Sequence, residues 1–232
     1  MGLTNARLGI KRIFRAELLQ LFGAIVILIA VLFSILQTGL GAESYENALF
    51  FFFTNVLVIF GGALIVAGFV LSLIGVHTAA KDCALFKKAF LYLVIGICAT
   101  VIHYVFEMIE VKWAWFVGDT FDLIETIAEL LTVHYIADGI IEIAERIEDE
   151  KMQRIGRKFR WMLICVYAIE GLLIVLEIVF KATLRDTLAP AVVNVLTSVL
   201  SSGKYLVYIA FLKRANAMDW NTDKPIGPEL EL

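Results

Sequence analysis

Six runs of about 20 apolar residues, the length a helix needs to cross a bilayer, divide this chain at roughly residues 17–38, 48–76, 86–110, 120–144, 160–181 and 188–212. That pattern constrains the fold more than any other feature. Short polar connections between successive runs make neighbouring helices pack as antiparallel hairpins. The expected fold is all-α: a polytopic membrane bundle of six transmembrane helices arranged as three hairpins. Composition agrees, since 60% of the residues are hydrophobic and 19% charged, against roughly 45–50% apolar in soluble domains. Mean hydropathy is +0.85.

The basic residues set the orientation. One side of the expected bundle receives Arg7, Lys11, Arg12 and Arg15, then Lys81, Lys87 and Lys88, then the cluster from Arg146 to Arg160, then Lys213, Arg214 and Lys224. The other side receives only Lys112, Lys181 and Arg185. The positive-inside bias therefore places both termini in the cytoplasm of a cell membrane, of the bacterial inner-membrane kind. An odd number of spans would put two basic clusters on opposite faces. Residues 1–214 are expected to form one transmembrane domain, with 5–15 as an interfacial helix against anionic lipid headgroups and 146–158 as a cytoplasmic extension of the fourth helix. Residues 215–232, with Pro225 and Pro228 and few apolar side chains, are expected to be a disordered tail.

Several classes are excluded or disfavoured. A net charge of −3 and scattered basic clusters do not suit nucleic acid. Cys83, Cys98 and Cys165 form no CxxC pair, so neither a disulfide framework nor a zinc finger is indicated. The apolar run 18–36 exceeds the roughly 7–15 residues of a cleavable signal segment, which makes it a retained first helix.

The fourth run contradicts its own hydropathy. Between residues 123 and 143 it carries Glu125, Glu129, His134, Asp138 and Glu142. An ionised side chain at the bilayer centre costs roughly 2.5–3.5 kcal/mol on insertion scales, so these groups must face protein, water or a cation. Hairpin symmetry about a loop centred near Ala114 and Trp115 sets His103 near Thr126 and Glu107 near Asp122. His103, Glu107 and Glu110 share one helical face, and Asp122, Glu125 and Glu129 share another. His103, Glu107, Glu125 and Glu129 are the candidate metal ligands. One imidazole and three carboxylates suit a divalent ion such as zinc, iron or manganese.

On the fifth and sixth helices the same symmetry sets Glu170 opposite Gly203 and Lys204, and a buried lysine requires a carboxylate. Glu170 and Lys204 are expected to be a structural ion pair. With that pair set aside, no basic residue remains at the level of the outer carboxylates, Glu177 included. Neutrality then requires protons on the carboxyls or a bound cation. Asn194, Ser198, Ser201 and Tyr205, with Tyr208, form a polar stripe on the sixth helix that can line an ion path or bond neighbouring helices. Gly61, Gly68, Ser72 and Gly75 share a face of the second helix and allow close backbone approach. Deeper in the fourth helix, Asp138 and Glu142 are expected to pair with Lys88 and Lys87.

These features support a small integral membrane protein handling a proton or divalent cation through an acidic intramembrane site, as a transporter or channel. Its expected partners are membrane lipid and the cation, with a homo-oligomer or protein partner compatible. A second class is a non-catalytic accessory, assembly or immunity protein. A third is a metal-dependent membrane enzyme, against which stands the lack of H-E-x-x-H, Glu-x-x-His and G-x-S-x-G motifs. No catalytic residue is assigned.

Overall fold

The computed structural model describes residues 3–40, 44–108, 114–183, 189–218 and 220. These residues form helices and their connections only: α1 (Thr4–Leu40), α2 (Ser44–Ala79), α3 (Leu85–Glu107), α4 (Ala114–Arg146), α5 (Glu150–Thr183) and α6 (Ala189–Asn216). Among them, α1, α2, α3, α5 and α6 are long and apolar enough to cross a membrane. At 33 residues α4 is long enough as well, but its acids break the apolar run.

Successive helices pack antiparallel, with the most extensive pairing between α1 and α2. Small residues recur every seventh position on both, at Gly9, Ala16, Gly23 and Ala30 on α1 and at Gly61, Gly68 and Gly75 on α2. A Cβ on Gly23 would sit 2.6 Å from the Gly61 carbonyl oxygen, and one on Gly68 2.9 Å from that of Ala16. The two backbones touch along this seam, and no side chain larger than hydrogen fits at the glycines.

Packing is uneven along the bundle. Ile10, Val76, Phe86, Ile140, Leu163 and Leu212, one from each helix, are sealed in a common core at the end bearing most of the basic residues. Towards the opposite end, Leu28, Phe60, Val101, Leu172 and Val195 are exposed. Apolar side chains turned outward suit hydrocarbon as the surrounding solvent.

Local chemistry at the basic end departs from the sequence expectations in four places. Residues 5–15 do not lie on a surface: Ala6, Ile10 and Ile13 are fully buried, and Asp82, from the α2–α3 connection, caps α1 by accepting the Ala6 N–H at 2.8 Å and the Asn5 amide at 2.9 Å. Their three-and-four spacing makes them core, while Arg7, Lys11 and Arg15 remain exposed. Segment 146–158 does not extend α4. That helix ends in a Schellman motif with Glu148 left-handed at φ 60; the Asp149 N–H reaches the Ala144 carbonyl at 2.8 Å and the Glu148 N–H that of Glu145 at 3.2 Å. Asp149 then caps α5 by accepting the Met152 N–H at 2.9 Å.

Of the tail expected from residue 215, Ala215, Met218 and Trp220 are instead buried against the core; residues 219 and 221–232 lie outside the described residues. The inner acids also take other partners than Lys87 and Lys88. Asp138 pairs with Arg160 at 3.0 Å and with His134 at 3.3 Å, and Glu142 pairs with Arg146. Lys88 lies instead over the Tyr135 ring, 5.4 Å from its centroid.

Candidate functional site

Where the sealed core gives way to the open half, four helices bring charged and hydroxylated side chains to one level. On α6, Lys204 and Tyr205 lie three and four residues from both Ser201 and Tyr208, so the four share a face. α5 contributes Tyr167 and Glu170, α4 contributes Glu129, and α1 contributes Glu17. Lys204 is the hub. Its Nζ donates to Glu170 Oε2 at 2.8 Å and to Glu129 Oε2 at 2.9 Å, and it lies 4.0 Å from the centroid of the Tyr167 ring.

Hydroxyls complete the network. Ser201 Oγ donates to the second oxygen of Glu170, and the Tyr167 hydroxyl hydrogen-bonds Glu129. Tyr205 donates to the Glu17 backbone carbonyl at 2.7 Å and lies beside the Glu17 carboxylate, which also feels the charge of Glu129. The Lys204 and Glu170 side chains are 6% and 5% exposed, whereas that of Glu129 is 47% exposed. Glu129 therefore has one side on the buried lysine and the other on open space.

That space is a groove of about 400 Å³ between α2, α3 and α4. Its walls are mainly apolar, from Val66, Phe69, Val70 and Leu73 on α2 and Leu93, Ile97 and Val101 on α3. Glu125 and Glu129, one helical turn apart, put carboxylates on its α4 wall, and Thr100 lies beside Glu125. The Thr100 and Thr132 hydroxyls donate to the Gly96 and Ala128 carbonyls of their own helices.

The candidate ligands take different places. Glu125 and Glu129 share the groove wall. His103 Nδ1 lies 2.8 Å from the Gly118 carbonyl oxygen, and because a carbonyl only accepts, that nitrogen carries the proton. Hairpin symmetry had set His103 near Thr126, roughly two turns away. The helices themselves pair close to that register, Phe106 stacking on Phe121 and Tyr92 on Tyr135, so the difference lies in where the His103 side chain reaches. The side chains of Glu107 and Asn194, and all of Glu110, lie outside the described residues. Among the described residues, no three His, Cys, Asp or Glu side chains converge as ligands of one metal ion. Glu177 is half-buried on α5 and Ser198 is exposed on α6.

Lys204 meets Glu170 as hairpin symmetry placed it. The expectation that no basic residue reaches the level of Glu129 does not hold, because one ammonium with three N–H groups serves both carboxylates. Glu17 and Tyr167 were not singled out from sequence. The signal for Glu17 was present: it is an ionisable residue at the start of the first apolar run, where the default reading is an intramembrane group with a partner. Nothing comparable marked Tyr167.

Five spanning-length apolar helices around a buried charged network define a multi-pass helical membrane protein. Neither a protein-family model, nor a curated protein, nor a solved structure matches the chain.

Proposed function

We propose that this chain is a six-span protein of the cell membrane, with both termini cytoplasmic, that exchanges protons through the Glu17–Glu129–Glu170–Lys204 network as a transporter or channel. One observation carries the reading. Two carboxylates, Glu129 and Glu170, share the single Lys204 ammonium, and a third, the buried Glu17, lies beside Tyr205 and feels the charge of Glu129, so the group of three acids and one lysine leaves two formal negative charges for protons or another cation to neutralise. A hydroxyl lies beside each acid, Ser201 at Glu170, Tyr167 at Glu129 and Tyr205 at Glu17, and such groups suit proton exchange among them. Glu129 connects this interior to the groove, and the sealed core on the basic side closes the other end.

A proton is favoured over a divalent metal by the donor geometry. One oxygen of Glu129 is held by Lys204 and both oxygens of Glu170 by Lys204 and Ser201, and among the described residues no three His, Cys, Asp or Glu side chains converge. Ions such as zinc need three or four free donors. The six-span reading rests on α4: Glu129 reaches Lys204 and Glu125 lines the groove between α2, α3 and α4, so both acids have protein groups beside them, which offsets the low hydropathy of this helix.

Reconstitution into proteoliposomes with a trapped pH-sensitive dye tests the proposal. Under an imposed potassium diffusion potential, the wild-type protein should acidify the lumen, and Glu129→Gln should abolish most of that flux. Equal fluxes in wild-type and Glu129→Gln vesicles, or none above protein-free vesicles, would remove the network from the path.

A further inference from the structure

The groove between α2, α3 and α4 has properties the proton network does not use. Its volume, about 400 Å³, falls in the range of small-molecule pockets, roughly 300–1,000 Å³. It opens sideways: Val66, Val70 and Val101 on its rim are 62%, 50% and 58% exposed, and in a membrane that rim meets hydrocarbon. Whatever enters comes from the bilayer.

Charge then selects among lipophilic molecules. No lysine or arginine among the described residues pairs with Glu125, which lies beside Thr100 and feels the charges of Asp122, Glu129 and His103. A carboxylate on an apolar wall is stabilised by a positive charge brought against it. A small inorganic cation is poorly served there, because it requires several oxygen ligands in place of its water. The groove offers Glu125, a Glu129 already engaged by Lys204, and two threonine hydroxyls turned to their own helices. A cation that carries its own apolar surface needs no such ligands. It gains from burying that surface on Val66, Val70, Ile97 and Val101 and from the face of Phe69.

We infer that this groove binds a lipophilic organic cation, its charge set against Glu125 and its body against the apolar walls of α2 and α3. The inference deepens the proton-exchange reading, since it names the substrate class that would enter beside Glu129, and rests on that reading for its transport meaning.

Binding of tetraphenylphosphonium to the purified full-length protein in detergent tests it, with tetraphenylborate as the anion of matching shape. Saturable binding of the cation, with at least about tenfold weaker binding of the anion, is expected. Glu125→Gln keeps the shape and the Thr100 contact and should weaken the cation about tenfold or more, the scale of one lost charge-assisted contact. Val66→Trp, on the lipid-facing rim, should weaken it comparably by filling the groove with the charge intact. Absence of binding, equal binding of both ions, or cation binding unchanged in both variants would overturn the inference; equal binding of both ions would mark the groove as a seat for acyl chains. Proton flux in vesicles free of organic cation separates the two readings. Flux without cation binding defeats only the groove inference, and Glu125-dependent binding without flux defeats only proton exchange.

Discussion

Lys204 Nζ lies 2.9 Å from Glu129 Oε2, joining α6 to α4 across the bundle while the same ammonium holds Glu170 at 2.8 Å. A sequence separation of 75 residues becomes a contact through two successive antiparallel packings, α4 on α5 and α5 on α6. The lysine thereby ties together the half of the structure opposite the α1–α2 pair. Its position at the boundary between sealed core and groove makes it a structural tie between the two.

Removing the ammonium should be costly. Lys204→Met leaves Glu170 buried and unpaired, and breaking such a pair costs about 3–5 kcal/mol. Most of that falls on Glu170, because pairing at the 47% exposed Glu129 is worth less. Adding Glu170→Gln to Lys204→Met should recover most of the loss, since no buried charge then remains uncompensated. Thermal unfolding of the two variants in the same detergent measures the difference; equal stabilities would show that Lys204 does not hold the cluster.

The α1–α2 seam predicts opposite outcomes for similar substitutions. Gly23→Ala drives a methyl to 2.6 Å from the Gly61 carbonyl oxygen and should destabilise by about 1–3 kcal/mol through overpacking. Gly62→Ala meets nothing within 4 Å. It should be neutral or stabilising by up to about 1 kcal/mol, as alanine is the better helix former. Unfolding midpoints of the pair decide the matter, and a destabilised Gly62→Ala would contradict the observed rotation of α2.

Labelling can test whether α4 crosses the membrane. If all six helices span, Met108 at the end of α3 and Thr183 at the end of α5 face the same side, and Lys213 near the end of α6 faces the other. Single substitutions Met108→Cys, Thr183→Cys and Lys213→Cys, in a background with Cys98 and Cys165 replaced by serine, should react with a membrane-impermeant maleimide on intact cells at the first two positions only. A five-span chain would instead separate Met108 from Thr183.

Cys83 supplies a pH-dependent readout outside the spans. Burial pushes its thiol above the ordinary value, and its S–H faces a Glu142 oxygen at 3.4 Å. The thiolate is the reactive form, so a raised pKa lowers its fraction at neutral pH and postpones reaction to more alkaline conditions. In the serine background above, the folded protein should resist maleimide at pH 7, gain label as pH rises, and react readily once unfolded. Intact-mass measurement across pH would reveal it; rapid labelling at pH 7 would place Cys83 outside the core.

How much of this was readable in advance differs by level. Hydropathy length marked all six helices, and their register allowed Glu170 to be matched with Lys204, because an antiparallel pair with a short connection leaves little freedom in depth. The same method set His103 near Thr126, whereas its ring meets the Gly118 carbonyl, because depth matching fixes backbone levels and not the direction in which a side chain reaches. It misread residues 5–15 as a surface helix, because Ala6, Ile10 and Ile13 suit a headgroup interface and a protein core equally well.

From its sequence alone the chain was bound to become a helical membrane bundle with acids turned inward, because a 20-residue apolar run and an uncompensated charge each have few low-energy places in a bilayer. Which acids meet Lys204, that Glu17 joins them from the first helix, and that Glu125 faces an apolar groove were decided only by tertiary structure. Those outcomes depend on the rotation and tilt of each helix about its axis, and rotation is set by packing between residues as far apart as the α1 glycines and the α6 tyrosines, which no single stretch of sequence contains.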